Sequence, residues 1–242
     1  MLKMLEAIFR GRIATENIET TGHKRFRGRL HCEAGADMTA TEACIKACPV
    51  GAVSVEGGAL KIDYKKCLFC GRCVEACAGA LLTHTNRDTM AQILTESAVE
   101  IGEAVTAKLG RSLHVRHLDA GSCNACDFEL GAMSNPVYDL HRYGIAFVAS
   151  PRHADMLMVT GVVTRNLEQA LRMTYEAMPE PKMVMACGAC AAGGSTYGRT
   201  YATVGCAADV VPVDIAVPGC PPRPAAIIVA LCAAADMLKE RM

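Results

Sequence analysis

Four cysteines in the second half of the chain lie in segments suited to holding a metal centre. Cys123 and Cys126 form a Cys-x2-Cys pair inside Asp119-Ala-Gly-Ser-Cys-Asn-Ala-Cys-Asp-Phe-Glu129, a spacing that lets two thiolates reach one centre from a single turn. Cys190 lies in Gly188-Ala-Cys-Ala-Ala-Gly-Gly194 and Cys220 in Pro218-Gly-Cys-Pro-Pro222, where glycine allows close backbone approach to a bulky group. Together they make a full thiolate set for one [4Fe-4S] cluster. Tetrahedral zinc accepts the same four thiolates and is the alternative reading of these residues.

Seven further cysteines fall between Cys32 and Cys77. The run Cys67-x2-Cys70-x2-Cys73-x3-Cys77 has the spacing of bacterial two-cluster ferredoxins, in which the first three thiolates bind one cluster and the fourth reaches the other. Cys67, Cys70 and Cys73 therefore need a fourth ligand from the first half, and Cys48, followed by Pro49, is the expected one. The first half departs from the pattern, with Met38 and Thr41 where cysteines would stand ahead of Cys44. Cys32, Cys44 and Cys77 supply three thiolates, and Arg29 stands where a paired cysteine would be needed. Three outcomes follow: a three-iron cluster, a four-iron cluster completed by His31 or Asp37, or no cluster.

Other chemistries fit less well. The glycines of 188–194 with Ser195 resemble a phosphate loop, but Gly194 replaces the lysine that would meet the phosphates. A cysteine nucleophile would need a histidine base that the Cys123–Cys126 segment lacks. Cys187, Cys206 and Cys232 fall outside these sets, Cys232 on an apolar stretch that reads as core. His153 is read as a group that could raise a cluster's potential, and Glu129 as a proton carrier or a helix-turn residue.

The elements that must position these residues follow from composition and periodicity. The chain has 242 residues, half of them hydrophobic, which is enough for a buried core, and its formal net charge of zero argues against a nucleic-acid surface. Fourteen cysteines beside such a core, clustered at ligand spacings, indicate metal rather than disulfides. Charge interrupts the N-terminus before an apolar signal core of the required length, so a reducing cytoplasm is expected. Leu2, Leu5, Ile8 and Phe9 share one face of a predicted N-terminal helix suited to a membrane surface or a partner. Val53 and Val55 answer Leu60 and Ile62 across a hairpin, and residues 89–109 have helical spacing. Beyond them, apolar runs at 113–118, 145–149, 156–159 and 183–185 alternate with helical stretches at 126–134, 166–178 and 223–239. That alternation predicts a parallel sheet covered by helices, with ligand sites at the carboxyl ends of its strands.

With Cys123-x2-Cys126, Gly-Ala-Cys190, Ser150-Pro-Arg-His-Ala-Asp155 and Val211-Pro-Val-Asp-Ile-Ala-Val-Pro-Gly-Cys-Pro-Pro-Arg-Pro224, residues 112–240 resemble the small subunit of energy-converting membrane-bound [NiFe] hydrogenases. They also resemble the cluster-bearing subunit of respiratory complex I, which carries adjacent cysteines where this chain has a spaced pair. The first part resembles a polyferredoxin-type subunit of the same assemblies. The resemblance implies a two-cluster ferredoxin-like α+β domain over 1–88, a connecting helix over 89–111 and a flavodoxin-like parallel-sheet domain over 112–242. It implies that Cys123, Cys126, Cys190 and Cys220 hold a proximal [4Fe-4S] cluster facing a [NiFe] large subunit. The chain itself would then be an electron conduit without catalytic residues. Membrane-arm subunits, a donor or acceptor protein, and a peripheral place on the cytoplasmic face of the inner membrane belong to the same expectation. A nickel-free complex I-like oxidoreductase, or a non-catalytic module stabilised by zinc, are the alternatives.

Overall fold

The computed structural model describes residues 15, 26–32, 38–85, 92–93 and 105–242. The expected N-terminal helix, Asp37 and most of the expected connector lie outside the described residues.

The first region contains β1 (Leu30–Cys32), α1 (Met38–Ala47), β2 (Val53–Glu56), β3 (Ala59–Ile62), α2 (Arg72–Ala76) and β4 (Leu82–His84). Strands β2 and β3 form the expected hairpin, with Val53 opposite Ile62 and Val55 opposite Leu60. Strand β1 lies antiparallel to β4, pairing Cys32 with Leu82. The two halves differ where their cysteines differ. Residues 67–71 form an open loop, with Phe69 at φ 53°, before α2 begins at Arg72. In the other half α1 begins at Met38 and runs through Thr41 to Cys44. With no thiol at 38 or 41 to turn toward a cluster, the backbone there continues as helix.

The second region contains β5 (Gln92–Ile93), α3 (Val105–Leu109), β6 (Leu113–Asp119), α4 (Ala125–Ala132), β7 (Ile145–Phe147), β8 (Met156–Thr160), β9 (Val163–Thr164), α5 (Arg165–Glu176), β10 (Met183–Cys187), α6 (Ala189–Gly193), β11 (Thr203–Gly205), β12 (Ile215–Val217) and α7 (Pro224–Arg241). The main sheet runs β5-β12-β10-β8-β6-β7. All its pairings are parallel except that of β5 on β12. Its parallel strands follow the flavodoxin-like order, with the topological switch point between β6 and β8. The expected helix over 89–109 is corrected: Gln92–Ile93 pair with the otherwise open edge of β12, and helix is found at Val105–Leu109. An open strand edge offers unpaired backbone groups that a neighbouring segment satisfies.

Strands β8 and β10 are buried on both faces, which explains their near-continuous apolar runs. Met156 and Met158 face a core with Ile227, Ile228 and Leu231 of α7, while Leu157 and Val159 face one with Leu171 of α5 and Ala191 of α6. Helix α7 is buried along most of its length, and each fully buried Leu or Ile contributes about 1.5–3 kcal/mol. At the amino end of the sheet Arg111 donates two hydrogen bonds to Asp155, at 2.7 and 2.8 Å. His153 lies at this end, before β8, and is exposed. The expectation that it tunes a cluster is corrected, because the expected ligand cysteines of this region follow the opposite, carboxyl ends of the strands. Among the described residues no helix is long and apolar enough to cross a membrane.

Candidate metal centre

Three strand ends carry the four expected ligand cysteines of the second region. Cys123 and Cys126 follow β6, Cys190 follows β10 in the first turn of α6, and Cys220 follows β12. The β6 loop is shaped by Asp119, whose carboxylate accepts from the backbone N–H groups of Gly121 and Ser122 at 2.8 and 2.6 Å. Burial works to raise the Asp119 pKa, but these donors outweigh it and hold the pKa below the ordinary value. The other two loops are tied together. The Gly188 N–H donates to the Val217 carbonyl and the Ala189 N–H to the Gly219 carbonyl, both at 2.8 Å.

Glycine 188 is required twice over. Its φ of 91° and ψ of 158° lie in a region that side chains disfavour, and a Cβ there would stand 2.6 Å from the Cys126 sulfur. With Cys126 in its present rotamer, a side chain at position 188 would displace the thiol. Cys190 and Cys220 both have raised pKa values, first through burial and then through the negative charge of the neighbouring thiolates. Cys190, pushed up to about 11, is influenced by Cys220, Cys126 and Cys123, so the structure brings the expected set together. Deprotonated together in this partly dry setting these thiols would repel one another, and a bound cation would offset that repulsion. Among the described residues no three His, Cys, Asp or Glu side chains are grouped as ligands of a single metal ion.

Two features around this set were missed in the sequence. Cys187, fully buried at the end of β10, hydrogen-bonds to Cys126 and thereby lowers the Cys126 pKa. Asp127 accepts from Thr160 Oγ1 at 2.9 Å and from Ser122 Oγ, and His117 Nε2 lies 3.0 Å from its carboxylate. Burial depresses the His117 pKa against the pull of Asp127 and Asp119. Thr160, a fully buried polar residue ending an apolar strand, was the legible signal for this network. Burial raises the Glu129 pKa, and the Arg223 guanidinium opposes that shift.

In the first region Cys67 is pushed up to about 11, mainly by burial and then by Cys73, Cys48 and Cys70, against an N–H bond from Phe69. Cys48 accepts from the Ala52 N–H at 3.2 Å and Cys67 from the Phe69 N–H at 3.4 Å, donors of the kind that tune a bound cluster. Cys32, Cys44 and Cys77 come from β1, α1 and the end of α2. Cys44 is fully buried and pushed up to about 12 by burial, a hydrogen bond with Cys77, and the charges of Cys77, Cys73 and Cys32. His31 is exposed, and strand alternation turns it to the face opposite Cys32.

A family model for the NADH ubiquinone oxidoreductase 20 Kd subunit matches residues 123–234, and one for a 4Fe-4S dicluster domain matches residues 39–78. The probable membrane-bound hydrogenase subunit mbhJ of Pyrococcus furiosus is 46% identical over 132 residues, covering 54% of this chain and 79% of that protein. The chain belongs to the 20 Kd subunit family. This family member also shares 37% identity over 147 residues with formate hydrogenlyase subunit 7 of Escherichia coli, covering 61% of this chain and 58% of that protein. A chain in the structure of a membrane-bound sulfane sulfur reductase, an archaeal respiratory membrane complex, aligns with a TM-score of 0.48 and 31% identity, over 56% of this chain and 75% of that one. The dicluster match and the family together make the cofactor of this protein [4Fe-4S] clusters.

Proposed function

We propose that this family member is the electron-transfer subunit of a membrane-associated [NiFe] hydrogenase complex, working beside a large subunit that holds nickel and iron. The observation that carries this reading is the convergence of Cys123, Cys126, Cys190 and Cys220 at an open edge, in a chain 46% identical to a membrane-bound hydrogenase subunit. Cys123 and Cys220 are exposed there, and Phe128, between Cys126 and Glu129, is 77% exposed. An open edge bearing thiols and an aromatic ring is a surface for a large subunit to cover.

In this reading residues 1–88 form the ferredoxin-like unit, 89–111 the connector and 112–242 the hydrogenase-subunit unit. Cys123, Cys126, Cys190 and Cys220 hold the proximal cluster, hereafter the Cys190 centre. Cys48, Cys67, Cys70 and Cys73 hold the Cys67 centre, and Cys32, Cys44 and Cys77 give three thiolates to a third. Bound clusters supply one-electron storage at potentials set by hydrogen bonds, charge and exposure. The chain's own residues fix those settings. Gly188 leaves room for the Cys126 thiolate, Cys187 donates to it, and the α7 core keeps the strand ends rigid. Membrane-arm subunits and an electron donor or acceptor protein complete the assembly, with this chain peripheral on the cytoplasmic face of the inner membrane.

The test is the nickel and iron content of the complex that copurifies anaerobically with this chain. Near-stoichiometric nickel with abundant iron is expected. Iron without nickel would assign the chain to a nickel-free relative of complex I, and zinc in place of iron and sulfide would make it a structural module.

A further inference from the structure

The two regions meet at contacts whose positions are informative. Gly193 ends α6 in right-handed helical geometry, so its backbone places no demand for glycine. Space does. A Cβ on Gly193 would stand 2.7 Å from the Lys65 carbonyl oxygen and 2.9 Å from its carbon, closer than real Cβ atoms come to backbone. Gly131 in α4 is also a helical glycine, and a Cβ there would meet nothing within 4 Å. Beside Gly193 the Ser195 hydroxyl donates to the Lys66 carbonyl at 2.9 Å. Lys65 and Lys66 immediately precede Cys67, and α6 carries Cys190 in its first turn.

A second contact lies between the other ligand segments. The Arg223 guanidinium sits 5.0 Å over the Phe26 ring, a cation–π arrangement. Arg223 follows Cys220 by three residues, and Phe26 is joined to Arg27, whose guanidinium donates to the Cys70 carbonyl and lies 3.8 Å from Glu75. Each contact thus joins a ligand segment of the Cys67 centre to a ligand segment of the Cys190 centre.

We infer that Gly193 and the Phe26–Arg223 stack form a two-point seam that fixes the Cys67 centre against the Cys190 centre, with Gly193 as its positioning residue. The inference rests on the cluster assignment proposed above. Electron exchange between two centres falls steeply with their separation, so a seam that admits a backbone carbonyl where a methyl group would not fit sets that rate. The exchange moves one electron, oxidising one centre as it reduces the other, and makes or breaks no covalent bond.

The test uses the full chain in its native complex, reduced with dithionite and examined by EPR. The parent is expected to show spin–spin interaction between the two centres. Gly193→Ala should retain parental iron and acid-labile sulfide while the features that arise from interaction of the Cys190 centre with the Cys67 centre disappear, any coupling within the ferredoxin-like unit being kept. Ser195→Ala, which removes one hydrogen bond and adds no bulk, should weaken them partially, and Gly131→Ala should leave them as in the parent. Unchanged interaction in Gly193→Ala at full iron content would overturn the seam. Loss of the Cys190 signal in Gly193→Ala, with interaction undiminished in Phe26→Ala, would overturn it too, because the glycine would then serve only its own loop. A parent without iron and sulfide would instead sink the cluster assignment on which the seam rests.

Discussion

The expected ligand thiols lie largely in the core of the first region and at the rim of the second. Cys44, Cys67, Cys73 and Cys77 are buried together with Leu30, Val53, Phe69 and Leu82, whereas Cys123 and Cys220 stand exposed at the carboxyl edge of a sheet whose core is almost wholly apolar. The first region's apolar core is small and interleaved with its thiols, so cofactor and fold are closely tied there. In the second region, Met, Leu, Ile and Val on both faces of β8 and β10 hold the fold, and the cofactor is added to a finished scaffold. The same ligand chemistry therefore has different consequences for stability in the two places.

The largest expected effect breaks or confirms this contrast directly. Stripping iron with a chelator should abolish hydrogen-exchange protection in β1–β4, α1 and α2 while β8 and β10 keep theirs. Simultaneous loss in both regions would show that the sheet also depends on its cluster. Next in size, Cys44→Ser should remove one reduced-state EPR signal and about three to four irons per chain. A spectrum matching the parent would mean that Cys32, Cys44 and Cys77 hold nothing. Gly188→Ala should cost about 1–3 kcal/mol of backbone strain and lower the occupancy of the Cys190 centre, read as iron content and melting temperature together. Parental values of both would remove the argument for the cradle.

The smallest effect is a pH dependence of the iron-free chain. Cys190 and Cys232 have folded pKa values of about 11 against an ordinary value of 9.0. Between those values the unfolded chain has released protons that the folded chain retains. The stability contributed by these neutral thiols is thus full below pH 9 and lost as pH rises through about 11. Melting temperatures of the iron-free chain should fall across that window, and a flat profile would contradict the burial assigned to these thiols.

Much of this arrangement was legible because its signals are local. Cysteine spacing marked the candidate ligand segments, the alternation of Val53, Val55, Leu60 and Ile62 marked the hairpin, and apolar runs marked β6, β8 and β10. What was not legible depends on distant partners. Strand β12 spans only Ile215–Val217 within a proline-flanked segment, and β5 exists because β12 has a free edge, which no window around Gln92 reveals. Cys187 reads as a spare thiol until β10 places it against Cys126. His153 looked interesting in its proline-led segment, yet topology puts it at the wrong end of the sheet. Gly193 lay in a glycine-rich loop explained by its nearest cysteine, and only the approach of Lys65 shows a second reason for it.

The most direct test of the account compares the parent complex with its Cys190→Ser variant by iron and sulfide analysis and reduced-state EPR. The variant should lose about four irons, one cluster signal and all electron flow, while the signals of the ferredoxin-like region persist. Parental iron content with undiminished turnover would contradict the claim that these four thiols hold a cluster of the conduit.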